Sequence, residues 1–118
     1  LNTGADAWCN KVQDNKRSYH HTHPRAGEFI AGNCNLSIQS DGGCRHTGFS
    51  ATGWRVLAVN RAGNLSKTVF EGGTFHLGNL PSLTIETLAL DEATAHLAQL
   101  IHDTSTDPPR PCTVHSWN

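Results

Sequence analysis

These 118 residues contain no methionine, no Cys-x-x-Cys pair and no long apolar run. Without Cys-x-x-Cys spacing, a zinc knuckle or a thioredoxin-type redox site is excluded. The longest apolar stretch, Val56-Leu57-Ala58-Val59, is far short of the ~20 residues that cross a bilayer, so no membrane insertion is expected. G-x-S-x-G, P-loop and H-E-x-x-H sequences are also missing. Charge is sparse: Asp, Glu, Lys and Arg make up 16% and the formal net charge is −1. No global field therefore draws the chain to nucleic acid or to an anionic membrane. With Leu1 in first place and methionine absent, the chain reads as a processed mature form or a trimmed piece, with any signal peptide removed, and is expected to be soluble.

What is present is four cysteines, at 9, 34, 44 and 112, and two N-glycosylation sequons, Asn35-Leu36-Ser37 and Asn64-Leu65-Ser66. An even cysteine count with wide, irregular gaps predicts a single secreted extracellular domain, residues 1–118, held by two disulfides. Hydrophobic content of 36% makes a lean core that gains from such bridges. Four cysteines allow three pairings. Cys9–Cys112 with Cys34–Cys44 is favoured, as an end-to-end staple plus a short hairpin-like loop, and Cys9–Cys44 with Cys34–Cys112 is the runner-up. In the chain-entropy view a long bridge contributes about 4–5 kcal/mol and a short one about 3.

Along the chain, residues 3–15 suit a short helix with Ala5, Trp8 and Val12 on one face. Residues 16–26 are basic, histidine-rich and broken by Pro24, which predicts a loop or edge strand. Ser40-Asp41-Gly42-Gly43 and Glu71-Gly72-Gly73 read as turns, and the stretch from Asn35 to Ile38 as a half-buried strand. The clearest strand is Gly53–Asn60, apolar on both faces and therefore central, followed by a hairpin into Ser66–Phe70. Thr74–Leu77 and Ser82–Glu86 alternate like strands, and Cys112–Trp117 like a final one. One clear helix, capped by Asp91, repeats Ala93, Leu97, Leu100 and Ile101. The fold class predicted is α+β: an antiparallel sheet with one helix packed on a face.

Tyr19-His20-His21-Thr22-His23 is the densest local cluster of chemistry, and eight histidines are the one excess of the composition. In an extended strand His21 and His23 share a face, so His20, His21 and His23 are the candidate metal ligands for zinc or copper. The bland alternative is an exposed loop ending at Pro24. Lys11, Lys16, Arg17 and Arg25 lie beside these histidines in the first quarter of the chain. Metal-independent RNA cleavage needs a base, an acid and a cation. Glu28 or Glu71, a histidine among His20, His21, His23 and His76, and Arg55 are the residues available for it. Residues 55–64 faintly resemble the central hairpin of small extracellular fungal ribonucleases. Glycosidase chemistry needs two carboxylates at a set separation, and no pair stands out. Trp8, Trp54 and Trp117 offer flat faces for a sugar ring, against a simpler packing role.

As a whole, the spaced cysteines, the sequons at Asn35 and Asn64 and a late helix followed by a cysteine-bearing strand resemble small secreted fungal proteins. That group includes plant-infection effectors and killer-toxin-like α/β sandwiches. The resemblance implies a virulence- or toxin-type protein that binds a host or competitor protein or glycan through its surface, without catalysis and without a cofactor. A secreted hydrolase, with a ribonuclease as its specific form, is the alternative, and a histidine-dependent metal binder is a second one.

Overall fold

The computed structural model describes residues 3–32, 34–43 and 48–104, with residues 113–117 as backbone. Helix α1 (Thr3–Asn15) buries Ala5, Cys9, Val12 and Gln13, a repeat of one helical face. It stops where Lys16 adopts a left-handed φ of 51°. There follow β1 (Tyr19–Thr22), the short α2 (Ala26–Ala31), β2 (Cys34–Gly43), β3 (Phe49–Asn60), β4 (Ser66–Gly73), β5 (Phe75–Leu77), α3 (Ser82–Thr104) and β6 (Thr113–Trp117).

The strands form one sheet in the order β1-β4-β3-β2-β6, with β5 on β3. All pairs are antiparallel except β2–β6, which is parallel. Alternation along the strands makes two faces. Leu36, Ile38, Trp54, Val56, Ala58 and Phe70 point to one, where Ala26 and Ile30 of α2 and Ala93 and Leu97 of α3 cover them. Fully burying a side chain the size of the leucines, isoleucines, valine or phenylalanine here contributes about 1.5–3 kcal/mol. On the other face Cys9 and Val12 of α1 pack on Ala51, Tyr19 and Phe75. The α+β class therefore holds, with helices on both faces rather than one.

Three local expectations are corrected. Residues 40–43 are not a turn: β2 continues through them, with Gly42 opposite Thr52 and Gly43 opposite Ala51. Glycine is needed there because α3 comes close, and a Cβ on Gly42 would lie 2.5 Å from the Ile85 carbonyl oxygen. Glu71–Gly73 likewise belongs to β4. Residues 82–86 form the first turns of α3, because Ile85 belongs to the buried repeat Ile85, Ala89, Ala93, Leu97. The alternation of Leu83 with Ile85 is incidental, since Leu83 is 76% exposed.

The favoured disulfide pairing meets the same β2 strand. Cys44 and Cys112 lie outside the described residues. Yet Cys34 and Gly43 end one continuous strand of 10 residues, a span of about 30 Å at ~3.3 Å per residue. No hairpin-like loop lies within residues 34–43, which are strand throughout.

Candidate binding surface on the α1 and β1 side

Edge strand β1 pairs with β4 so that His20 stands opposite Gly72 and His21 opposite Glu71. The two-residue period therefore sends the two histidines to opposite faces of the sheet. His21 goes to the α1 face, where its ring centroid lies 5.6 Å from that of Trp8. His20 goes to the α3 face, against Trp54, Phe70 and His96, with the His96 centroid 4.5 Å away. The strand ends at Thr22, so His23 leaves the alternation. Its ring lies 4.8 Å from Phe29 and its Nδ1 accepts the Arg25 amide. The structure does not bring the three candidate ligands together. Among the described residues no group of three or more His, Cys, Asp or Glu is arranged to hold a metal ion.

On the α1 face a different set converges. Register places His21 opposite Glu71 and Glu71 opposite Arg55, a row across three strands. The Trp8 indole Nε1 donates to Glu71 Oε1 at 2.6 Å. Arg55 donates from Nε and Nη2 to Thr68 Oγ1 at 3.3 and 3.0 Å. Its stem runs beneath the start of α1, where a Cβ on Gly4 would be 2.5 Å from Arg55 Cδ. Beside the row, the Lys11 ammonium sits 5.0 Å from the ring centroids of both Trp8 and Tyr19. The Arg17 guanidinium lies 5.0 Å from the Tyr19 ring, and Asn15 Nδ2 donates to Tyr19 Oη at 2.7 Å. Lys11, Arg17 and His21 are exposed, while Trp8 and Tyr19 are half-buried. The result is a small cationic surface built on two flat rings, in a chain whose net charge is −1.

The other residues considered for acid–base chemistry lie elsewhere. His76 Nε2 pairs with Glu92 Oε2 at 3.0 Å, and Glu92 Oε1 accepts from Thr52 Oγ1 at 2.6 Å and Thr74 Oγ1 at 2.7 Å. That carboxylate latches α3 to β3 and β5. Glu28 is exposed and paired to Arg25 at 2.7 Å. On the α3 face, His20, Thr22, Phe70, His96, Gln99, Leu100 and Asp103 line a cavity of about 160 Å³. Partial burial, and then the positive charges of His96 and His21, hold the His20 imidazole below its usual range. Trp54 is core at 1% exposure. Nothing is described of the Trp117 side chain.

Of the sequons, Asn64 sits in the exposed connection between β3 and β4, where Asn60 Nδ2 donates to its Oδ1 at 2.9 Å. Asn35 lies in β2 with β3 on one side and β6 on the other. The contact of Trp8 with Glu71 joins residues 63 positions apart and left no trace in the sequence. The placing of Lys11 three residues after Trp8 on one helix was the readable signal. No helix among the described residues is long and apolar enough to cross a membrane. Compared with protein-family models, curated proteins and solved structures, the chain matches none.

Proposed function

We propose that this chain is a secreted, non-enzymatic binding protein, effector-like or toxin-like. In this reading it engages an acidic glycan of a host or competitor through Trp8, Lys11, Arg17, Tyr19 and His21. The observation that carries the proposal is the Lys11 ammonium held 5.0 Å over two aromatic rings with Arg17 over the second. Exposed cations held over aromatic rings in this way are positioned to pair with the sulfate or carboxylate groups of a glycan. The same reading makes the protein an oxidised one with two disulfides, and glycosylated at Asn64 where the hairpin tip is open.

The test is retention on a sulfated oligosaccharide across a salt gradient. The expected result is binding at low salt that weakens up to about 5-fold in each of Lys11→Ala and Arg17→Ala, as ~1 kcal/mol per lost exposed contact implies. Equal retention of the variants and the parent protein would sink the proposal. The ribonuclease reading has one specific observation in its favour, the His21–Glu71–Arg55 row. Against it, Trp8 already occupies a Glu71 oxygen and α1 overlies Arg55. RNA degradation that disappears in Glu71→Gln would establish that reading instead.

A further inference from the structure

On the α2 side of the sheet, opposite the Trp8–Lys11 surface, a cleft of about 240 Å³ opens between α2 and the β3–β4 connection. Its lining includes Phe29, Gly32, Cys34, Ala58 and Leu65, with Lys67 as its cation. Ala58 and Lys67 are register partners in the β3–β4 pair, so both project from the face that α2 covers. The Lys67 ammonium lies 5.7 Å from the Phe29 ring centroid. Both walls are held in place. Phe29 belongs to α2, and the His23 imidazole packs 4.8 Å from its ring. At the other wall, Asn60 Oδ1 accepts the Asn64 and Leu65 amides at 3.2 and 3.3 Å, and the Asn60 amide donates to the Leu65 carbonyl at 3.0 Å. These bonds fix the backbone of Leu65, which stays 67% exposed beside the cleft and has apolar area left to bury.

We infer that this cleft binds a small apolar monocarboxylate, the size of an eight-carbon fatty acid, with its chain between Phe29, Ala58 and Leu65 and its carboxylate on Lys67. A dry cavity of about 150 Å³ takes benzene, so one of about 240 Å³ takes a ligand of about ten non-hydrogen atoms. Charge selects the head group. The other charged residue of the lining is Glu28, and its carboxylate is taken by Arg25 Nε at 2.7 Å. Lys67 touches the Phe29 ring and has no carboxylate partner among the described residues. One anionic head on an apolar body therefore complements the cleft. A neutral apolar molecule would leave Lys67 unpaired, and a second negative charge would face Glu28. The cleft and the proposed glycan surface lie on opposite faces of the sheet, so the two sites are independent.

The experiment is titration of the isotope-labelled full chain with octanoate, followed by amide and methyl NMR shifts. Saturable shifts at Phe29, Ala58, Leu65 and Lys67 are expected, with a Kd below about 1 mM, as a ligand of about ten non-hydrogen atoms can reach. Lys67→Met keeps an apolar stem over Phe29 and removes the charge. It should weaken octanoate about 5-fold, the loss of one exposed ion pair, and change octan-1-ol binding less than about 2-fold. Leu65→Ala should weaken both ligands by about 3- to 5-fold. Leu65 and Lys67 are exposed, so neither variant removes core packing. No saturable shift up to about 10 mM octanoate, shifts confined to Trp8, Lys11 and Arg17, or equal octanoate affinity in Lys67→Met would each overturn the assignment.

Discussion

Replacing Glu92 with alanine removes the acceptor that joins α3 to the sheet. Its Oε1 receives the hydroxyls of Thr52 and Thr74 at 2.6 and 2.7 Å, and its Oε2 the His76 Nε2 at 3.0 Å. The Glu92 side chain is 17% exposed and Thr52 is fully buried, so water does not freely replace these bonds. A hydrogen bond to a charged group contributes about 1.5–3 kcal/mol, and an orphaned buried hydroxyl loses about 1–3. Thr52 keeps the Thr74 hydroxyl at 3.1 Å as a second partner, which reduces the loss. The sum predicted is about 3 kcal/mol, a large part of the 5–15 typical of a domain. With a urea slope of about 1.5–3 kcal/mol per molar, the unfolding midpoint should fall by about 1–2 M. Glu92→Gln retains an acceptor and should lose about half as much. A Glu92→Ala midpoint within about 0.3 M of the parent protein, where a loss below ~1 kcal/mol would put it, would refute this account of the latch.

Other outcomes follow from close packing and from buried charge. Gly53→Ala places a methyl against the Ala5 carbonyl and the Cys9 backbone of α1, which have no freedom to yield. Overpacking of this kind costs up to about 3 kcal/mol or more, so the melting temperature should drop by about 10 °C or more, and an unchanged melt would show that α1 docks differently. Asp41 is pushed up to about 6 by burial, then by its hydrogen bond to Asp6 and the charges of Asp6 and Glu86. An acid held above its unfolded pKa keeps its proton better when folded, so stability from this group is full below about pH 4 and falls as pH rises through about 6. Asp41 is only half-buried, and after solvent screening Asp41→Asn should gain about 1 kcal/mol at pH 7 and flatten that limb in pH-dependent denaturation; a loss at pH 7 would contradict it. His20 acts in the opposite sense. Its folded pKa lies below 6.5, so its contribution is complete above that pH and is lost as pH falls, and His20→Phe should remove that acid sensitivity.

The elements with a single dominant pattern were legible. Residues 3–15 carry a helical repeat, and Trp54, Val56 and Ala58 alternate against Arg55, Leu57 and Val59, which placed β3 at the centre of the sheet. Glycine misled twice. At Gly42–Gly43 and Gly72–Gly73 it permits close approach of a neighbouring backbone or, at Gly43, of the Gln13 side chain, not a reversal, and local composition does not distinguish the two uses. For Ser82–Glu86 a period of two was read over a window too short to show Ile85, Ala89, Ala93 and Leu97 as one helical stripe. The parallel placement of β6 next to β2 depends on the path of the chain across the sheet and has no local signature. The candidate surface was half visible. The basic residues and histidines near residues 11–25 stood out, but His20 and His21 were parted by the strand pleat, and Trp8 met Glu71 only through tertiary packing.

The central claim is that the Trp8–Lys11–Arg17–Tyr19–His21 surface binds an acidic glycan. Amide and indole NMR shifts of the isotope-labelled protein, followed during titration with a sulfated oligosaccharide, test it most directly. The account predicts saturable shifts at the Trp8 indole and at Lys11, Arg17 and His21, with the Leu77 and Leu83 region unmoved. Shifts clustered elsewhere, or none at low salt, would contradict it.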